Sequence, residues 1–336
     1  MKVVVCDTPG TLRLEERPRP EPGAGEVVLR VRRMGVCGTD LHIFQGKHPY
    51  LEYPRVMGHE LSGEIAAVGR GARLAEGTPV YVMPYLTCGS CVACRQGKTN
   101  CCTSLQCLGV HCDGGMGEYL ALPEAVVFPT DGIPPDQAAL VEFLAIGAHA
   151  ARRAGIKGGE RTLVVGAGPI GIATALFARA RGAEITFLDA RQDRLAFCGT
   201  ALGLGQGVQV GEDTRERLAD LTGGEFFDLV LDATGNTGAM EQSFGWVAHG
   251  GTLVFVGVVR TDIRFSHPEF HKREATLKGS RNATVEDFRE VLAAIRSGRV
   301  QVERLITHRG TLEQAPERFP AWIRPETGVV KAMIEI

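Results

Sequence analysis

Residues 161–190 read RTLVVGAGPIGIATALFARARGAEITFLDA. The run Leu163-Val164-Val165 is continuously apolar, which predicts a strand buried on both faces. It passes into Gly166-Ala167-Gly168-Pro169-Ile170-Gly171, then a helical stretch from Ile170 to Arg181, then a second strand from Ile185 to Leu188 that ends at Asp189. A GxGxxG turn alone is common by chance. Set between a strand and a helix, with an acidic residue eighteen positions past Gly171, it reads as a dinucleotide-binding turn. The first glycine permits the tight turn, the second lets a pyrophosphate approach the helix N-terminus, and the third lets helix and strand pack closely. Asp189 is placed to accept hydrogen bonds from the adenosine ribose and to repel a 2′-phosphate, which favours NAD over NADP. Arg191 and Arg194, just behind it, are the alternative that would hold that phosphate.

Working outward, Leu229-Val230-Leu231 and Leu253 to Val256 repeat the apolar-strand pattern, so a parallel sheet covered on both faces is expected. The first third differs: Val27, Leu29 and Val31 alternate with Arg30 and Arg32 between Gly- and Pro-rich breaks, as in a β-rich, partly open barrel. After Gly279, Thr284 is placed to cap a helix carrying Phe288, Val291, Leu292 and Ile295 on one face, with Gly298 to end it, and Val330 to Ile336 offers a last strand. The expected class is α/β. The expected division is a catalytic domain over 1–146, a doubly wound nucleotide domain over 147–283, and a tail over 284–336 that returns to the first.

Residues 88–102 read CGSCVACRQGKTNCC. Cys88, Cys91, Cys94 and Cys102 have the spacing of a closed four-thiolate zinc site, which has no open position and braces a loop; Cys101 is the alternative fourth ligand. Upstream, Cys37 and the triplet Gly58-His59-Glu60 offer a thiolate, an imidazole and a carboxylate, a set that suits a zinc keeping one position for water or substrate. Cys6, Cys107, Cys112 and Cys198 fall outside both groups and are expected to be buried free thiols. The 336-residue chain has a net charge of −2 and no long Lys/Arg block, so no nucleic-acid partner is expected. No apolar segment approaches a membrane span and the N-terminus is unlike a secretory signal, so the expected location is cytoplasmic.

These motifs in this order resemble the zinc-dependent medium-chain dehydrogenase/reductase family over nearly the whole chain. Cys37-Gly38-Thr39-Asp40, Gly58-His59-Glu60 with Gly63 and Gly69, the four-cysteine lobe and GAGPIG carry the resemblance. Leu140-Val141-Glu142 resembles the sorbitol-dehydrogenase branch, with Phe143 where that branch commonly has proline. The resemblance implies a GroES-like catalytic domain beside a Rossmann domain, two zinc ions per subunit, and hydride transfer from a secondary alcohol to NAD. It makes Cys37 and His59 ligands of the catalytic zinc, with Glu60 and Glu142 as unranked carboxylate candidates and Asp40 as the group orienting His59. Thr39 and His42 would relay the proton, unless they are a turn hydroxyl and a surface histidine. The segment from Phe265 to Thr284 resembles oxidoreductases of sugar acids such as L-galactonate or L-gulonate. There Arg281 would clamp a carboxylate or diol, or else serve as a structural arginine, while His271 and Lys272 read as a solvated turn. The rival readings are an L-threonine 3-dehydrogenase-like enzyme and a non-catalytic NAD(H)-binding redox sensor. The branch often forms tetramers, and a homo-oligomer is expected.

Overall fold

A computed structural model describes residues 1–48 and 51–336. The chain forms two compact units, one of Met1–Glu142 with Val291–Ile336, the other of Phe143–Glu290.

The second unit holds a six-stranded sheet in the order Gln206–Gln209, Glu184–Asp189, Arg161–Val165, Phe227–Asp232, Val247–Phe255, Thr276–Gly279. Every neighbouring pair is parallel. In order of appearance this is 3-2-1-4-5-6, the doubly wound arrangement that opens a crevice where the order reverses, at the C-terminal end of Arg161–Val165. Leu163 and Val164 are fully buried, as a strand between two helical layers requires. The helix after the glycine turn is Pro169–Ala180, begun by Gly168 with proline in its first turn, where a missing N–H costs nothing.

A buried charged cluster ties helix Val141–Ala154 to the start of helix Val285–Arg296 in the same unit. Arg152 donates from Nε to Asp287 Oδ1 at 2.8 Å and from an Nη to Oδ2 at 2.9 Å, and His149 Nδ1 lies 2.9 Å from Oδ2. Thr284 stands at the cap position expected of it, its carbonyl accepting the Phe288 N–H, and it donates both its hydroxyl and its N–H to the Asp287 carboxylate. Burial pushes the Asp287 carboxyl up, but the hydrogen bonds from His149 and Arg152 and from the Thr284 backbone outweigh it and hold the group far below the usual carboxylate range.

The first unit is built on a seven-stranded sheet in which Glu26–Val36 is central. It pairs antiparallel with Glu60–Val68 on one side and with Lys331–Glu335 on the other, and Tyr119–Pro123 also joins it. The alternation expected from the sequence holds from Leu29 to Val31, where Arg30 is exposed between two buried residues, but Val27 and Val28 are both buried. Among the described residues no helix is long and apolar enough to cross a membrane.

Candidate active site

The end of strand Glu26–Val36 organises the first unit's chemistry. Cys37 follows it directly and begins the short helix Gly38–Phe44. Gly35 pairs with Glu60 on the neighbouring strand, and a Cβ at Gly35 would come within 3.0 Å of the Glu60 Cβ, so only glycine leaves room for that carboxylate. Ala332, next to Lys331, pairs with Val36 on the opposite side. One ligand atom from each of Cys37, His59 and Glu60 lies within 4.8 Å of the others. Asp40 is fully buried and accepts hydrogen bonds from the Cys37 N–H at 2.9 Å and the Gly58 N–H at 3.2 Å, which fixes the two turns that carry the sulfur and the imidazole. Asp40 Oδ1 is 3.8 Å from His59 Nδ1, a charge contact and not a hydrogen bond.

Two carboxylates approach this cluster and are held differently. Glu60 is fully buried and takes both oxygens to the Lys331 ammonium, at 2.6 and 2.8 Å, and Lys331 is itself buried with its Nζ 3.4 Å from the Val36 carbonyl. Burial pulls the Lys331 ammonium down, but Glu60, Cys37 and Glu142 together outweigh it and raise it. Glu142, in the first turn of helix Val141–Ala154, lies outside the 4.8 Å set, and its Oε1 accepts the Tyr85 hydroxyl. Burial pushes both Glu142 and Tyr85 up, and the Glu142 charge raises the phenol further, so Tyr85 stays a donor.

The donor set fits zinc: a thiol, an imidazole and a carboxylate converge. His59 is buried, and its Nδ1 has no hydrogen-bond partner among the described residues, an arrangement costly for a protein on its own. Burial pulls His59 down, yet Asp40 and Cys37 carry it well above an ordinary imidazole, so the cluster draws in positive charge. The lobe fits as well. One sulfur from each of Cys88, Cys91, Cys94 and Cys102 lies within 4.8 Å of the rest, with Cys102 buried and Cys101 exposed and outside the set. Backbone N–H groups point at the sulfurs, Cys91 to Cys88 at 3.4 Å and Cys94 to Cys91 at 3.5 Å. Those of Cys94 and Thr103 pull the Cys91 thiol down to about 5.

In the second unit Gly166 has φ +96°, and a Cβ on Gly171 would run into the Gly166 carbonyl, which explains two of the three glycines. Asp189 accepts the Ala167 N–H at 2.6 Å and the Arg191 N–H at 2.8 Å, so it buttresses the turn. The Arg191 guanidinium is engaged by Asp193, and an Arg194 nitrogen lies 3.0 Å from where a Gly168 Cβ would stand. Ile170 follows Pro169 in the first turn of the helix. Thr39 and His42 share helix Gly38–Phe44; the Thr39 hydroxyl caps nothing, and His42 is exposed. Arg281, beyond strand Thr276–Gly279, is exposed, as are His271 and Lys272. Cys6 and Cys198 are buried thiols, but Cys107 and Cys112 are only half-buried, because both sit on the loop that returns from the lobe. Lys331 and Tyr85 were missed in the sequence. The available signals were a lone lysine opening an apolar strand and a tyrosine just before the lobe.

Such a pairing of a thiolate–imidazole metal cluster with a dinucleotide turn defines a metal-dependent nicotinamide dehydrogenase. Residues 23–134 match the alcohol dehydrogenase GroES-like domain and residues 169–297 the zinc-binding dehydrogenase domain. The chain is 44% identical over 322 residues to the L-galactonate-5-dehydrogenase of Escherichia coli strain K12, covering 95% of each. It is 34% identical over 313 residues to the D-altritol 5-dehydrogenase of Agrobacterium fabrum, covering 91% of each. A crystal structure of an alcohol dehydrogenase from Escherichia coli CFT073 in complex with NADH superposes with a TM-score of 0.93 at 27% identity, covering 100% of this chain and 99% of that one. The chain therefore belongs to the zinc-dependent medium-chain dehydrogenase/reductase family.

Proposed function

We propose that this enzyme oxidises a secondary hydroxyl of a sugar acid or polyol, with a hexonate such as L-galactonate or L-gulonate favoured, and passes the hydride to NAD. The observation that carries the substrate class is the 44% identity, over 95% of both chains, to an L-galactonate-5-dehydrogenase. Zinc, when bound, supplies the Lewis acidity that lets a hydroxyl lose its proton near neutral pH. Cys37 and His59 hold the ion together with Glu60 or Glu142, and Cys88, Cys91, Cys94 and Cys102 hold a second, structural one. Thr39 and His42 form the proton relay: the Thr39 hydroxyl accepts the departing proton as it passes its own onward, and His42, being exposed, hands a proton to solvent. Gly166, Gly168, Pro169, Ile170 and Gly171 receive the pyrophosphate, Asp189 the ribose, and Arg194 adds a cation at the same turn. The engagement of Arg191 by Asp193 supports NAD over NADP. Arg281 is assigned to the substrate carboxylate. The protein works as a cytoplasmic homotetramer.

Following NADH absorbance across hexonates, pentitols, hexitols and L-threonine tests this reading. The highest kcat/KM is expected on a hexonate. Greater activity on L-threonine than on any hexonate or polyol would replace it with the threonine-dehydrogenase alternative.

A further inference from the structure

Tyr85 belongs to no motif and to no cofactor contact, yet it is 4% exposed and donates its only O–H to a carboxylate beside the metal cluster. It opens the two-residue strand Tyr85–Leu86, which pairs antiparallel with Gln106–Cys107, Tyr85 facing Cys107 and Leu86 facing Gln106. The residues between those two strands are the four-cysteine lobe. The lobe is thus the loop of a ribbon whose base presents Tyr85 to Glu142. Among the described residues Glu142 Oε2 accepts no hydrogen bond, so the phenol is the one protein group that fixes how this carboxylate is turned. Glu60 contrasts with it: both of its oxygens are taken by a cation.

We propose that Tyr85 is a positioning residue for Glu142, and that the four-cysteine lobe, by closing the Tyr85–Leu86/Gln106–Cys107 ribbon, keeps it there. A neutral donor on one oxygen orients the carboxylate while leaving its charge and its second oxygen available to the metal, whereas Lys331 neutralises Glu60. Partners of this kind are typically worth ten- to a hundredfold in metal affinity or activity. The proposal rests on the proposed function and on Glu142, of the two carboxylates named there, serving the catalytic zinc.

The test uses the zinc-loaded full chain and follows passage of zinc to a chromogenic chelator, with the phase absent from Cys37→Ser assigned to the catalytic site. Tyr85→Phe is expected to speed that phase about ten- to a hundredfold and leave the lobe's phase unchanged. In a Glu142→Ala background the same substitution is expected to add less than about twofold, because Tyr85 then has nothing to orient. An unchanged rate for Tyr85→Phe, with Glu142→Ala fast, overturns this inference and leaves the ligand assignment standing. An equal acceleration by Tyr85→Phe in both backgrounds also overturns it, since the phenol would be acting elsewhere. If Glu142→Ala itself leaves the rate unchanged, the assignment of Glu142 to the metal falls and Tyr85's role falls with it.

Discussion

The two sulfur-bearing clusters of the first unit are assembled by opposite routes. The lobe takes all its ligands from residues 88–102, and the N–H groups of its own turns point at the sulfurs. The other cluster exists only where strands meet: Cys37 ends the central strand, Glu60 begins a neighbour, and Lys331, 271 positions from Glu60, begins the last strand. A local site depends on a turn, so its metal holds the loop together. A site of distant residues depends on the sheet, so the sheet's stability governs its geometry, and it is the one that can be tuned for chemistry.

Cys37→Ser should have the largest effect. It removes a ligand from the distant cluster alone, so kcat/KM should fall at least about a thousandfold, in keeping with the several kcal/mol a Lewis acid supplies. Metal analysis should show about one zinc lost per chain and the lobe's zinc kept. Loss of both would mean that the clusters are not built separately. Lys331→Met should come next, because it leaves Glu60 buried and unpaired. Denaturant unfolding should report a loss of about 3–5 kcal/mol, and Lys331→Arg should recover much of it. An unchanged midpoint for Lys331→Met would break the claim that the distant cluster leans on that pair.

The His149–Arg152–Asp287 cluster is long-range too, but satisfies its charges without metal, and so provides a control. Because the native Asp287 carboxyl titrates far below its unfolded value of about 3.9, its contribution is complete above that pH and is lost as pH falls through the native value. Unfolding free energy should therefore decline below about pH 4. Asp287→Asn should cost about 1–3 kcal/mol at neutral pH and flatten that part of the profile. A profile identical to the parent protein's would remove Asp287 from the account. The glycine turn is a local site like the lobe, and Asp189→Ala should give the smallest change. A relative gain of about tenfold for NADP over NAD, or 1.4 kcal/mol, is expected in the ratio of kcat/KM values. No gain would return Arg191 and Arg194 to consideration as phosphate ligands.

What was legible in the sequence follows the same division. The strand, glycine turn, helix and Asp189 lie within one βαβ unit, so spacing alone carried them. The four lobe cysteines were equally plain, although it takes the structure, with the Cys102 sulfur inside the cluster and Cys101 exposed outside it, to separate those two. The roles of Glu60 and Glu142 could not be told apart, because the difference between them is a lysine and a tyrosine that no motif connects to either. Lys331 drew no reading of its own inside the expected strand Val330 to Ile336; that it is buried follows from pairing across the sheet. Cys107 and Cys112 were expected to be buried by residue type, and their half-exposure reflects the path of one loop.

That strand Lys331–Glu335 supplies the counter-ion of Glu60 carries a consequence for how the enzyme is made. At synthesis rates of about 5–20 residues per second, Cys37 emerges roughly 15–60 s before Lys331 is added, and through that interval Glu60 lacks its counter-ion. The nascent thiol is then more open to oxidants and to the wrong metal than in the finished fold, where it is half-buried.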